Sequence, residues 1–157
     1  MKIVILAVGK TDMDFVEIAN KLYLDRLKHY VPTSLDIIPE QKPWKKMNSE
    51  DRKRAEGKAI IERFMPGDGI LLLDEKGKGY TSETFAKLLE KNMASGVKRL
   101  VFVIGGAYGF SEEVYSQVPQ KIKLSDMTFS HQMVRSFLLE QVYRGMTILK
   151  NEPYHNR

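Results

Sequence analysis

Lys2-Ile-Val-Ile-Leu-Ala-Val8, followed by Gly9-Lys10, is apolar from its second residue to its last. A strand with one wet face alternates apolar and polar residues. An unbroken run reads as a strand covered on both faces, as in a parallel sheet flanked by helices. Similar runs follow at residues 69–73 and 100–104, Leu35 to Ile38 reads as a short second strand ended by Pro39, and residues 122–124 can supply a short last strand. Between them the apolar period lengthens to that of helices. Phe15, Ala19, Leu22, Tyr23, Leu27 and Tyr30 recur at helical spacing after a possible cap at Thr11. Further helices are expected over 49–64, from a cap at Thr81 or Ser82 to about 93, from Ser111 toward 118, and from about 131 to 150, where Val134, Leu138, Val142, Met146 and Leu149 mark the stripe. The alternation predicts an α/β fold: a three-layer sandwich around a mainly parallel sheet of about five strands. A chain of 157 residues makes one domain, expected to span residues 1–157.

The composition narrows the chemistry. There is no cysteine, which excludes thiolate nucleophiles, iron–sulfur clusters and cysteine-bound zinc. Three histidines without a second ligand cluster argue against any metal site. No span of about twenty apolar residues is present, and the apolar run at residues 3–8 is too short for a signal peptide. Without cysteine or a targeting segment, a cytoplasmic protein is expected. A net charge of +5 and a pI near 9.3 favour an anionic partner.

In an open parallel sheet, ligands collect beyond the carboxyl ends of the strands. Three strand ends stand out here. Leu73 runs into Asp74-Glu75-Lys76-Gly77-Lys78-Gly79, which suits either a general base or a solvated turn. Ile104 runs into Gly105-Gly106-Ala-Tyr-Gly109, where absent side chains let backbone approach a ligand, although a plain tight turn accounts for it too. That turn is not the dinucleotide fingerprint, and Gly77-Lys78-Gly79 lacks the spacing of a Walker loop. Leu124 leads through Ser125, Asp126, Met127, Thr128 and Phe129 to His131 and Arg135, which are four apart and so expected on one helix face. No G-x-S-x-G elbow supports a hydrolase.

Residues 41–54 hold six basic and two acidic residues around the only tryptophan, Trp44. This stretch suits phosphate contact with base stacking, or equally a solvated helix face with the indole tucked against the core. The tail Pro153-Tyr154-His155-Asn156-Arg157 offers a surface for a base and a phosphate, although tails commonly fray.

Six motifs in one order, from Gly9-Lys10 through Leu73-Asp-x-x-Gly77-Lys78, Gly105-Gly106-x-x-Gly109, Leu124-Ser-x-Met-Thr-Phe-x-His131-x-x-Val-Arg135 and Glu140-Gln-Val-Tyr143-Arg144 to Pro153-Tyr154-His155, resemble the RlmH family end to end. Those are SPOUT-class methyltransferases that methylate N3 of a pseudouridine in large-subunit (23S) ribosomal RNA with S-adenosylmethionine. The resemblance implies a trefoil-knotted α/β fold and a homodimer with cofactor sites near the subunit interface. It implies that Leu73, Gly105 and Leu124, Ser125, Asp126, Met127, Thr128 and Phe129 line S-adenosylmethionine. It implies that His131, Arg135, Tyr154 and His155 face the RNA base, with Arg144 a further candidate. Ser130 stands where the family often has proline, and Asn156 where relatives place a basic residue.

On that reading His131 or His155 accepts the imide proton, and Arg135 or Arg157 stabilises charge on the flanking carbonyl oxygens. The missing cysteine agrees with attack by nitrogen, because methylation at pyrimidine carbon usually needs a covalent thiolate. Two other readings compete: a non-catalytic ribosome- or RNA-binding protein, and a small nucleotide-binding enzyme with phosphate at the Gly105-Gly106 turn and the helix opened by Ser111.

Overall fold

In the computed structural model, residues 1–156 are described, and Arg157, expected to meet RNA, lies outside them. Five strands, β1 (Lys2–Val8), β2 (Thr33–Ile38), β3 (Gly69–Gly79), β4 (Arg99–Ile104) and β5 (Lys121–Lys123), form one sheet in the order β2-β1-β4-β3-β5, every pair parallel. Successive side chains of β1 go to opposite faces. Ile3, Ile5 and Ala7 join the core under α1 (Asp14–Leu27), α3 (Ser82–Ala94) and α5 (Met133–Leu149). Val4, Leu6 and Val8 join the core under α2 (Ser49–Ile61), α4 (Glu112–Gln117) and a 3-10 turn at Lys42–Lys46. Both faces are thus roofed by helices, which is why β1 carries no polar alternation.

Three local readings change. The core-facing residues of α1 are Val16, Asn20 and Leu27, while Phe15, Ile18 and Leu22 are exposed. The helix has a second apolar stripe, and the polar Asn20 is accommodated because its carbonyl accepts a hydrogen bond of 2.7 Å from Ser136 on α5. Thr11 does not cap α1; its hydroxyl accepts from Arg135 instead. β3 does not end at Leu73. Four residues, 74–77, bulge out, and pairing with β5 resumes at Lys78, so Ile122 is opposed by both Leu73 and Lys78. Gly77 makes this possible, since a Cβ there would lie 2.4 Å from the Ile122 carbonyl carbon.

The chain leaves β5 beside β3, and Gln132 is bonded beyond β1, donating to the Lys10 carbonyl at 3.0 Å and accepting from the Asp12 amide at 3.2 Å. β3 and β4 lie between those two strands. Residues 124–132 therefore cross the carboxyl ends of the central strands before α5 begins, a rarer path than a direct return.

Candidate active site

That crossing segment closes a cavity of about 620 Å³ over the strand ends, a size suited to a small-molecule ligand. Leu73 and the bulge residues Asp74, Glu75 and Lys76 form one wall, residues 104–110 the second, and residues 123–131 with Val134 the third. Every residue assigned to the cofactor by resemblance, Leu73, Gly105 and Leu124 through Phe129, lines this space, with His131 exposed on the same lining.

Local hydrogen bonds shape each wall. The Asp74 carboxylate accepts from the Lys76 amide at 2.8 Å and from the Tyr115 hydroxyl, tying the bulge to α4. Burial, then the bond to Asp74, raises the Tyr115 hydroxyl above the usual tyrosine range, so it stays a proton donor. The glycine turn closes with Gly109 at φ 78, donating from its amide to Gly106 at 3.1 Å. At Gly105 a Cβ would crowd Phe110 at 3.1 Å, and at Gly106 it would lie 2.4 Å from the Glu56 carboxylate. A side chain at Gly106 would have to displace the Glu56 carboxylate, and one at Gly105 would press on the Phe110 ring, so both glycines fit closely against what lies behind the wall. In the third wall the Ser125 hydroxyl accepts from the Met127 amide at 2.9 Å, Lys123 pairs with Asp126, and Phe129 packs on Phe137 with centroids 4.8 Å apart.

Arg135 is placed differently from the sequence expectation. It is 0% exposed and does not face solvent or the cavity. Its guanidinium donates to the Val8 carbonyl at 2.9 Å, the Thr11 hydroxyl at 2.9 Å and the His131 carbonyl at 3.0 Å. Burial lowers its pKa from the ordinary value, but arginine remains charged. The spacing of four correctly joins it to His131, yet the joint is through the backbone: α5 starts at Met133, and His131 lies in the preceding turn.

Tyr154 and His155 are also away from the cavity. The tail folds back on its own chain, where Tyr154 donates to Glu140 at 3.1 Å and His155 lies 3.2 Å from Arg144 and 3.1 Å from Glu83. Arginine can only donate, so His155 accepts at Nδ1 and donates from Nε2 to Glu83. Arg144 also pairs with Glu140 and lies 4.8 Å over the Tyr154 ring. Along α5 Met133 and Arg144 are about 16 Å apart at 1.5 Å per residue, and His131 lies in the turn before the helix. A single chain thus assembles the donor-type pocket and His131, but not the tail.

A family model described as "Predicted SPOUT methyltransferase" matches residues 1–155. The chain belongs to the SPOUT methyltransferase family. It is similar to the protein called ribosomal RNA large subunit methyltransferase H in Christiangramia forsetii, 51% identical over 157 residues and covering 100% of both chains. The proteins of the same name in Parabacteroides distasonis and Porphyromonas gingivalis are 52% and 51% identical, covering 99% of each chain.

For a SPOUT methyltransferase, the cavity offers room and lining for a methyl donor. Leu73, Ile104, Leu124 and Phe129 offer apolar surface for a flat ring, and Asp74 and Glu75 bring negative charge to one wall, the charge of Asp126 being met by Lys123. Sequence reasoning overlooked Tyr115 and Lys123 on the lining and Glu56 behind Gly106. Glu56 had a usable signal: it stands four residues before Ile60 on the core-facing side of α2, where an acid is unexpected. Tyr115 had none, since its reach to Asp74 depends on how α4 meets the bulge. Among the described residues no cluster of ligating side chains could hold a metal, and no helix is long and apolar enough to cross a membrane.

Proposed function

We propose that the protein is an S-adenosylmethionine-dependent methyltransferase that methylates N3 of a pseudouridine in large-subunit ribosomal RNA, working as a homodimer in the cytoplasm. The observation that carries this reading is the cavity over the strand ends, lined by Leu73, Gly105 and Leu124, Ser125, Asp126, Met127, Thr128 and Phe129, in a chain about half identical, end to end, to named ribosomal RNA methyltransferases. A trefoil-knotted path belongs to the same reading and is supported by the crossing of residues 124–132 over the strand ends.

When bound, S-adenosylmethionine supplies a methyl group already activated on a sulfonium, so the protein's work is orientation and proton transfer. The backbone of the glycine turn and of residues 124–129 holds the donor. The exposed His131 imidazole accepts the N3 proton of the imide, directly or through one water. His155 is less available to the substrate within one chain, because both ring nitrogens are already engaged, by Arg144 and by Glu83. Arg135 acts as a positioning residue, fixing the His131 carbonyl against the turn after β1.

Tyr154 and His155 meet the base from a second copy. Two observations favour that arrangement. The tail lies well apart from its own cavity, and the stripe Phe15, Ile18 and Leu22 on α1 is exposed at 60%, 71% and 45%, an apolar face suited to a dimer contact. A non-catalytic RNA-binding protein would have no use for the cavity. Calorimetric titration with S-adenosylmethionine separates the two readings: we expect saturable binding, and absence of heat at any donor concentration overturns the enzyme reading.

A further inference from the structure

The basic stretch between β2 and α2 takes no part in the cavity, and its geometry gives it a separate task. Trp44 is 3% exposed and packs in the core that includes Val8, Ile38 and Ile60. The indole is therefore unavailable for base stacking and serves as an anchor. Around it the 3-10 turn, with Pro43 in its first turn, holds Lys42, Lys45 and Lys46 exposed. Among the described residues none of the three has a carboxylate partner: Glu50 pairs with Lys53, Asp51 with Arg54, and Glu40 with Arg52. The acids nearest in sequence are thus already engaged, and three cations held together on an anchored turn are free to meet an anion outside the chain.

The position of this turn suggests which anion. It follows directly on the carboxyl end of β2, at the sheet edge that carries the cavity. Only β1 lies between β2 and β4, so the two strand ends are about 10 Å apart at ordinary strand spacing. Arg52 bridges the gap, donating to Glu40 at 2.6 Å and lying 5.7 Å from the ring of Tyr108, which lines the cavity.

We infer that Lys42, Lys45 and Lys46 form a phosphate-binding knuckle that grips the RNA backbone beside the donor cavity, outside the nucleotide that receives the methyl group. The inference rests on the RNA methyltransferase reading. Such contacts set register and affinity without reading sequence, and the anchored turn loses little freedom when the RNA docks.

The test compares wild type with K42Q/K45Q/K46Q in filter binding to unmodified large-subunit ribosomal RNA over a salt series, and in methylation kinetics. A second variant, K87Q/K91Q/K98Q, removes the same charge from exposed positions on α3 and before β4, away from the 3-10 turn. Each lost phosphate contact on single-stranded nucleic acid lowers the slope of log affinity against log salt by about 0.7, so the knuckle variant should lose about 2 units. Its KM for RNA should rise, while its affinity for S-adenosylmethionine and its single-turnover rate at saturating RNA stay at the wild-type level. The control variant should keep the wild-type slope. An unchanged slope in the knuckle variant, an equal loss in the control, or no RNA binding by wild type overturns the inference. A wild-type chain that binds the RNA but transfers no methyl group contradicts the functional reading alone, and the slopes still decide the knuckle.

Discussion

His131 and Arg135 illustrate what residue spacing encodes. Four positions apart they are neighbours, but spacing does not say which of the two meets solvent. The structure gives His131 to the cavity and Arg135 to the interior, where three acceptors hold its guanidinium. Arg135→Ala should therefore act first on stability. Leaving buried carbonyl acceptors unsatisfied costs about 1–3 kcal/mol, and the lost packing adds to it, so a clear fall in the urea midpoint is expected. An unchanged midpoint with lost activity would instead restore Arg135 to the RNA side. His131→Ala should fold normally and lose about 10²–10⁴-fold in single-turnover rate if the imidazole is the base, with the rate's dependence on pH flattened. Retention of the wild-type pH profile would remove it from that role. That Arg135 would turn inward was not legible, because burying an arginine is unusual and two of its three acceptors, Val8 and Thr11, come from the far end of the sequence.

At the scale of elements, the strands and helices were legible wherever apolar period dominated. β1 and β4 match the expected strands to within a residue, as does the Thr81 cap of α3. What escaped was the continuation of β3 past Asp74. A charged, glycine-rich stretch reads as a turn, whereas here Gly77 lets it lie against Ile122 and return to the sheet. Gly77→Ala places a Cβ within 2.4–2.7 Å of Ile122 backbone atoms, which cannot yield as a side chain would. It should destabilise by about 1–3 kcal/mol, read by chemical denaturation, and weaken donor binding because Leu124 follows the displaced strand. A neutral effect on both would mean that the bulge is not required. The α1 stripe was read from the correct residues in part, but a helix with two apolar stripes offers the sequence no way to rank them.

At the scale of the whole molecule, one chain separates His131 from Tyr154 and His155, and the exposed α1 stripe gives a second copy a place to dock. Ile18→Glu touches no core, since Ile18 is 71% exposed. Sedimentation should show it monomeric, with methyl transfer lost and the fold intact; a variant that remains dimeric would move the interface elsewhere. The tail also carries a pH signature. Backbone hydrogen bonding at the start of α3, then His155, holds Glu83 at about 2, below the ordinary 4.5. A depressed carboxylate contributes stability above its unfolded value and loses it as pH falls through the folded one. Stability should thus decline between pH 4.5 and 2, and Glu83→Gln should flatten that decline in denaturation midpoints; an identical decline in the variant would exclude Glu83 as its source. The central claim is methyl transfer to RNA. Its most direct measurement is a reaction of the purified protein with labelled S-adenosylmethionine and unmodified large-subunit ribosomal RNA, followed by mass spectrometry of the nucleosides. The account predicts label on N3 of a single pseudouridine, and label on any other base, or none, would contradict it.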